Sequence, residues 1–130
     1  MKPGMFTGSG VALVTPFRDG EVDFEAFGRL IDWQIDNRTD ALIACGTTGE
    51  PSTMTRAEKE AVIGFAVKRA AGRVPVFAGT GGNDTRKAIE LSAAARALGA
   101  DGLLMVTPYY NKTTQAGLIA HFTAVADAVD

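Results

Sequence analysis

The sequence predicts an α/β fold built on a parallel sheet, and two observations support that prediction. Four short apolar runs alternate with four longer amphipathic segments, at about 30 residues per unit, which fits one strand followed by one helix. The runs do not alternate polar with apolar side chains, which is typical of strands buried on both faces and joined by right-handed crossovers. The predicted strands cover residues 10–15, 41–45, 74–78 and 102–106.

The first two helices carry N-terminal signals. Asp23 is a predicted N-cap for the first helix. Thr55, with Glu58 three residues later, has the pattern of a capping box at the start of the second. The apolar positions of the first helix lie three or four residues apart, as on one face of a helix, and are Phe24, Phe27, Ile31 and Ile35.

The third and fourth helices follow from the same spacing. The third is predicted to begin near Asp84 and to end at Gly99, a residue type common just after a helix C-terminus. Its apolar positions are Ile89, Leu91, Ala95 and Leu98. The fourth presents one apolar stripe, formed by Leu118, Phe122, Val125 and Val129.

This pattern leaves two architectures open. One is the first half of a (β/α)8 barrel, a fold that typically takes about 250 residues. The other is a small doubly wound sheet, which 130 residues would complete. Periodicity does not separate the two, and the pattern alone favours the self-contained open sheet.

Composition excludes several classes of protein. A net charge of −2 argues against a nucleic-acid-binding face, which is usually basic. No apolar stretch approaches the ~20 residues of a membrane helix, and the N-terminus lacks the apolar run of a signal peptide. Cys45 is the single cysteine, so a reducing compartment is expected. We therefore expect a cytoplasmic protein whose partners include neither nucleic acid nor membrane.

Turn and hydroxyl residues follow each predicted strand, and the carboxyl ends of parallel strands usually carry the functional site. The second strand is followed by Gly-Thr-Thr-Gly-Glu at 46–50, which suits a small carboxylate or is only a turn whose threonines cap backbone groups. The third is followed by Gly-Thr-Gly-Gly-Asn-Asp at 79–84, which is no dinucleotide fingerprint because Asp84 stands where glycine is needed. The first is followed by Thr-Pro at 15–16 and the fourth by Thr-Pro-Tyr-Tyr-Asn at 107–111.

Other reactive side chains are weaker candidates. Tyr109 and Tyr110 are adjacent on a loop, so they should point in different directions, and a phenol can relay protons or anchor an interface. His121 is expected to be structural, and Cys45 to be a small buried apolar residue. No spacing of His, Cys and carboxylates indicates a metal site. No lysine lies in a predicted strand, so none is placed for Schiff-base chemistry; the five are Lys2, Lys59, Lys68, Lys87 and Lys112.

Taken together, these segments resemble the dihydrodipicolinate synthase family from about residue 5 to 130. Four motifs in order carry the resemblance: residues 6–17 (Phe-Thr-Gly-Ser-Gly-Val-Ala-Leu-Val-Thr-Pro-Phe), 46–50, 78–81 (Ala-Gly-Thr-Gly) and 106–111 (Val-Thr-Pro-Tyr-Tyr-Asn). The resemblance implies an α/β chain of the (β/α)8 TIM barrel type. Residues 1–130 would be the N-terminal part of a single barrel domain, with only the first four βα units.

The resemblance implies a class I aldolase of lysine biosynthesis, which condenses pyruvate with L-aspartate semialdehyde to 4-hydroxy-tetrahydrodipicolinate without a cofactor or metal. A barrel lysine forms an imine with pyruvate, and the derived enamine attacks the aldehyde. Thr47 matches a hydroxyl of the proton relay, and Thr48 the residue that holds the pyruvate carboxylate. Tyr110 matches a relay tyrosine donated across a dimer interface, and Tyr109 an interface aromatic. The full-length parent would be a homo-oligomer, a dimer of dimers.

The resemblance places the imine lysine, with a second relay tyrosine and an arginine, beyond residue 130. We therefore expect the chain alone to be inactive. A half barrel leaves two sheet edges unpaired, so we also expect it to be poorly folded, oligomeric or dependent on a complementing half. A sharply sedimenting monomer with cooperative melting would contradict this expectation.

The resemblance also bears on regulation. The positions that match the effector pocket of lysine-inhibited members are Arg56, Lys59, Asn83, Lys87 and Tyr109. Three of these are cationic and should repel the ammonium group of lysine. We expect the full-length parent to be inhibited weakly by lysine or not at all.

Two alternatives remain open. One stays within the superfamily, as an N-acetylneuraminate lyase or a 2-keto-3-deoxy sugar-acid aldolase. The other is a non-catalytic small α/β module that holds an anion at the Gly-Thr-Thr-Gly turn. Substrate profiling of the full-length parent separates the first, and a stable, inactive, anion-binding monomer would favour the second.

Overall fold

The computed structural model describes residues 7–129. Lys2, Phe6 and Asp130, which entered the sequence interpretation, lie outside the described residues. The elements in chain order are β1 (Gly10–Ala12), β2 (Phe17–Arg18), β3 (Glu21–Val22), α1 (Phe24–Asp36), β4 (Ala41–Ala44), α2 (Arg56–Ala70), β5 (Val76–Gly79), α3 (Thr85–Ala97), β6 (Gly102–Leu104) and α4 (Gln115–Val129).

The main sheet is parallel, and its strands stand side by side in chain order, β1-β4-β5-β6. Consecutive helices pack on one another, α1 on α2, α2 on α3 and α3 on α4, so all four cover the same face of the sheet. A doubly wound sheet would reverse its strand order and place helices on both faces. The open-sheet interpretation is therefore wrong, and the architecture is that of four consecutive βα units of a barrel.

The two faces of the sheet differ in how well they are covered. Because side chains alternate along a strand, β4 and β5 turn one set toward the helices, where Leu42 and Val76 are buried. The opposite face carries Ile43 and Phe77, which are partly exposed, and Leu104, which is 46% exposed. This second face and the outer strands β1 and β6 are the surfaces that closure of a barrel would bury.

The predicted helix ends are confirmed. The Asp23 side chain accepts a hydrogen bond from the Ala26 amide, and Asp84 accepts from two amides in the first turn of α3. Thr55 and Glu58 form both hydrogen bonds of the capping box. Gly99, just past α3, has a φ of +94°, a conformation that favours glycine over residues with a Cβ.

The small hairpin of β2 and β3 was not predicted from the sequence. Phe17 pairs with Val22, and Arg18 with Glu21. The connecting Asp19 and Gly20 both have positive φ, 54° and 86°, as a two-residue hairpin turn requires. Asp-Gly is a hairpin signal, but strands of two residues show no periodicity that could support it. The main strands are also shorter than predicted: β1, β4 and β6 end before the predicted residue, and β5 begins two residues later than predicted.

Within residues 7–129, no helix is both long enough and apolar enough to cross a membrane.

Thr55→Ala is expected to lower the free energy of unfolding by about 1 kcal/mol, because it removes the acceptor for the Glu58 amide at the start of α2. Urea unfolding followed by circular dichroism at fixed protein concentration measures the change. Thr123→Ala, at an exposed position within α4, is the matched control. It should leave the midpoint unchanged or raise it slightly, since alanine is the better helix former. An equal loss in both variants would contradict a capping role.

Candidate functional site

The loops at the carboxyl ends of the strands surround two adjoining cavities. The larger, of about 460 Å³, has Gly46, Thr47, Lys59, Val106 and Tyr109 among its lining residues. The smaller, of about 110 Å³, is lined by residues 80–84 together with Lys59, Lys87 and Tyr109. Lys59, Gly81 and Tyr109 belong to both walls. The strand-end segments singled out in the sequence thus meet at one edge of the sheet.

Hydrogen bonds hold the Gly-Thr-Thr-Gly turn in place at the end of β4. Cys45 has a φ of +56°, which turns the chain sharply out of the strand. A short 3-10 turn follows at Thr47–Gly49, in which the Gly49 amide donates to the Gly46 carbonyl at 2.8 Å. The buried Thr15 hydroxyl donates to the Gly49 carbonyl, also at 2.8 Å. These contacts present Thr47 and its neighbour Thr48 as exposed hydroxyls.

The segment after β5 is held tightly by its neighbours. A Cβ added at Gly79 would lie 2.0 Å from the Cys45 carbonyl oxygen, and one at Gly81 would lie 2.4 Å from the Val106 amide nitrogen. The buried Thr80 donates from its amide to the Leu104 carbonyl. Its hydroxyl accepts a hydrogen bond from Ser92 of α3 at 2.8 Å. The glycines are therefore required here so that three chain segments can approach one another.

Two asparagine side chains hold the loop that carries Tyr109 and Tyr110 in place through hydrogen bonds. Asn83 donates from its side-chain amide to the Tyr109 carbonyl at 3.2 Å, and Asn111 donates to the Asn83 carbonyl at 3.1 Å. Tyr110 has a φ of +69° and is 101% exposed, whereas Tyr109 is 53% exposed and lines both cavities. The different surroundings of the two side chains agree with the prediction that they point in different directions.

Cys45 is a buried thiol at the end of β4. Its side chain is 3% exposed, and burial raises the pKa of the thiol to about 11, against a smaller opposing effect of the Lys59 charge. The group is therefore a neutral thiol near pH 7. The prediction of a small buried apolar residue is confirmed.

His121 lies away from both cavities. Its ring is buried, with Nδ1 2.9 Å from the Thr85 hydroxyl oxygen and the ring edge against Phe122. This placement in the contact between α3 and α4 agrees with the structural role expected for it. Across residues 7–129, no three His, Cys, Asp or Glu side chains come together in a group that could hold a metal ion.

The candidate site residues separate into two sets. Thr47 and Tyr109 line the larger cavity, and Asn83, Lys87 and again Tyr109 line the smaller one. Lys59 lines both cavities. The other three candidates line neither: Thr48, Arg56 and Tyr110. The Arg56 guanidinium instead contacts the carboxylates of two glutamates, Glu60 and Glu90, each at 2.7 Å.

Lys59 has a larger part in the site than the sequence analysis suggested. The residue lines the larger cavity, where Thr47 also lies, as well as the smaller one. Its carbonyl lies 3.8 Å from the Cys45 sulfur, which ties the first turn of α2 to the end of β4. The capping box at Thr55, which marks the start of α2, could have indicated from the sequence that Lys59 lies near the site. A helix that follows a strand starts at the strand's carboxyl end, so first-turn residues lie beside the site.

Comparison with known proteins supports the resemblance. A model of the Dihydrodipicolinate synthetase family matches residues 5–130. The 4-hydroxy-tetrahydrodipicolinate synthase of Aquifex aeolicus is 62% identical over 126 residues, which is 97% of this chain and 43% of that protein. The same enzyme from Clostridium tetani is 59% identical with the same coverage.

Solved structures agree. The crystal structure of dihydrodipicolinate synthase from Aquifex aeolicus matches with a TM-score of 0.94 and 62% identity, covering 96% of this chain and 43% of that one. An enzyme from Acinetobacter baumannii, described as chloride inhibited and complexed with pyruvate, matches with a TM-score of 0.92 and 51% identity, covering 95% of this chain and 43% of that one. This chain thus spans about 43% of the length of these relatives. With a family model matched over residues 5–130, the chain belongs to the dihydrodipicolinate synthetase family.

Proposed function

We propose that these residues serve 4-hydroxy-tetrahydrodipicolinate synthase activity, as the first four βα units of a single cytoplasmic (β/α)8 barrel domain. The observation that carries the proposal is the hydroxyl-bearing turn at the end of β4, which opens on a cavity of about 460 Å³ in a chain 62% identical to such an enzyme. The reaction joins pyruvate and aspartate semialdehyde. It needs an amine, proton-transfer groups and a carboxylate site.

The threonine pair supplies two of these functions. A hydroxyl donates to a carboxylate without adding a charge, and Thr48 is held beside Thr47 on a turn pinned by Thr15. We assign the pyruvate carboxylate to Thr48 and proton transfer to Thr47, which lines the larger cavity. The Lys59 ammonium in the same wall adds positive potential that favours anionic substrates.

The position of Tyr110 supports a role in a partner subunit. The ring is fully exposed, although its backbone occupies the strained positive-φ region. Such strain is maintained only where surrounding contacts determine it, and here Asn83 and Asn111 clamp the loop. We propose that Tyr110 completes the proton relay of a neighbouring subunit, that Tyr109 lies at the same interface, and that the whole enzyme is a dimer of dimers.

The imine step uses an amine from another part of the barrel. That amine attacks the pyruvate carbonyl with loss of water, and loss of a methyl proton gives the enamine. The enamine carbon then forms a bond to the aldehyde carbon, whose oxygen takes up a proton. The amino group of the condensed aspartate semialdehyde then attacks the imine carbon, which closes the ring and releases the enzyme amine. The relay of Thr47 and Tyr110 carries protons in these steps. The condensation needs neither an oxidant nor a reductant.

Reconstitution tests the proposal. The chain is co-expressed with the C-terminal remainder of the Aquifex aeolicus enzyme, and condensation of pyruvate with aspartate semialdehyde is assayed. Activity that needs both pieces is expected. A folded, paired complex that cleaves N-acetylneuraminate or a 2-keto-3-deoxy sugar acid, and does not act on aspartate semialdehyde, would favour the alternative aldolases.

The chain by itself should form no imine. After incubation with pyruvate and borohydride, its intact mass is expected to stay unchanged, while the reconstituted enzyme gains one pyruvyl group. In the described part of the chain, Lys59 is half-buried at the site and the others are exposed: Lys68, Lys87 and Lys112. A stoichiometric adduct on the chain alone would overturn this expectation. Peptide mapping would then distinguish Lys59, which lines the cavity, from Lys112, which lies on the loop after the two tyrosines.

A further inference from the structure

The first and last helices each expose a large apolar side chain. Apart from Tyr110, the most exposed large apolar residues in the described part of the chain are Ile119 of α4, at 68%, and Trp33 of α1, at 58%. A single exposed apolar side chain is common on a protein surface. What these two indicate therefore depends on which side of its helix each one occupies.

Trp33 lies on the flank of α1 that is turned away from α2. The opposite flank carries Gly28, where an added Cβ would meet the Phe65 ring of α2, and Asp32, whose carboxylate binds Arg69 of α2. At about 100° per residue, Trp33 lies roughly 140° around the helix from Gly28. It is therefore beside the position that a helix preceding α1 in a ring of helices would occupy.

Ile119 lies on the flank of α4 that is turned away from α3. His121 is buried on the side of α4 that contacts α3, with its Nδ1 2.9 Å from the Thr85 hydroxyl oxygen. Two residues along the helix, Ile119 is roughly 160° around the axis from His121. Three neighbours of Ile119 on its flank are exposed and uncharged: Ala116, Thr123 and Ala126. This apolar flank is beside the position that a helix following α4 would occupy.

The sheet is open at the same two ends. Among residues 7–129, β1 pairs only with β4 and β6 only with β5, so each of these outer strands has one unpaired edge. The face of the sheet that the helices leave bare exposes Leu104 of β6. Unpaired backbone and exposed apolar surface thus occur together at the first and the last βα unit.

We propose that these surfaces bind a second copy of the chain, so that two copies close one eight-stranded barrel. Four βα units span half the circumference of such a barrel. A rotation by half a turn about its axis brings β1 of one copy beside β6 of the other and keeps all strands parallel, and a second such rotation returns to the first copy. The second copy thus supplies the four strands that closure lacks, with a free edge for each free edge.

The same rotation pairs the two apolar flanks. Trp33 of one copy lies beside Ile119 of the other at both junctions, which continues the packing of each helix on the next that α1, α2, α3 and α4 already show. The bare faces of the two sheets then form one interior. No substrate enters this argument, so the proposal does not depend on the proposed synthase activity.

Sedimentation equilibrium of the 130-residue chain tests the proposal and should give twice the mass of one chain. Trp33→Glu and Ile119→Lys each place a charge at both junctions, so each should raise the dimer dissociation constant by roughly tenfold or more. Ala93→Lys adds the same charge at an exposed position of the inner helix α3 and should leave the dimer unchanged. Circular dichroism checks that the variants are folded alike.

Mixing Trp33→Glu with Ile119→Lys tests the arrangement of the copies. A mixed dimer has one junction without a substitution and one in which the two introduced charges have opposite signs, so dimer should reappear on mixing. Absence of that recovery would overturn the proposal. A mass that keeps rising with concentration would overturn it too, as would a dimer that withstands both single substitutions, because its copies would be joined elsewhere, as through the loop of Tyr109 and Tyr110.

A monomeric chain is the remaining outcome, and it also counts against the proposal. A chain that stays monomeric, and pairs only when the C-terminal remainder of the Aquifex aeolicus enzyme is added, would show that the open surfaces bind that segment and not a second copy.

Discussion

Gly79→Ala is expected to lower the free energy of unfolding by about 3 kcal/mol or more, at or beyond the upper end of the cost of overpacking. The added methyl group would lie 2.0 Å from the Cys45 carbonyl oxygen and 2.7 Å from the Gly46 amide nitrogen. Both are backbone atoms, so no side-chain rotation relieves the contact. Relief requires that β4 and β5 separate at the end that supports the Gly-Thr-Thr-Gly turn.

The measurement is the urea midpoint by circular dichroism, at one fixed protein concentration because association would shift it. Gly82→Ala is the matched control, three residues later in the same loop. A Cβ there meets nothing within 4 Å, and the φ of Gly82 is not in the left-handed region. That variant should be neutral or stabilised by a few tenths of a kcal/mol, through reduced entropy of the unfolded chain. Similar midpoints for the two variants would refute the close approach of the strands.

Thr47→Val and Thr48→Val should impair the reconstituted enzyme in different ways. Loss of a relay hydroxyl at Thr47 is expected to lower kcat by roughly 100-fold or more while the KM for pyruvate changes little. Loss of a carboxylate donor at Thr48 is expected chiefly to raise the KM for pyruvate, by roughly tenfold or more. Valine keeps the shape of threonine, so the comparison isolates the hydroxyl.

Steady-state kinetics with pyruvate as the varied substrate measures this difference. Thr113→Val, on the exposed segment before α4, is the control and should match the unmodified enzyme. Identical changes in kcat and KM for Thr47→Val and Thr48→Val would contradict the assigned roles. Full activity in both would remove the turn from the proposed site.

Local physics explains why the helices were predictable. A cap is a contact between residues three or fewer positions apart, so the caps Asp23 and Thr55 could be identified from the sequence and are confirmed, as is the predicted start of α3 near Asp84. Buried parallel strands are equally visible as apolar runs. The same reasoning could not choose between a barrel segment and an open sheet, because that choice depends on which face each helix covers.

The candidate site was predicted only in part. Adjacent tyrosines must diverge, and turn residues after parallel strands must share an edge of the sheet, so both statements followed from the sequence. That Lys59 belongs to both cavities could not follow, since it depends on how α2 packs against Cys45 and β4. The pairing of Arg56 with Glu90 of α3 is likewise a contact between residues 34 positions apart.

The sequence by itself determined the order of the four main strands and four helices, the starts of α1, α2 and α3 and the family, because these depend on short-range spacing and on motifs that can be compared directly. Only the tertiary structure showed that the strands of the sheet stand side by side in chain order and that all four helices cover one face of it. It also showed that glycines at the end of β5 admit a neighbouring backbone, and that Lys59 lies between two cavities. These features depend on long-range packing, where a few tenths of an ångström decide whether a contact forms.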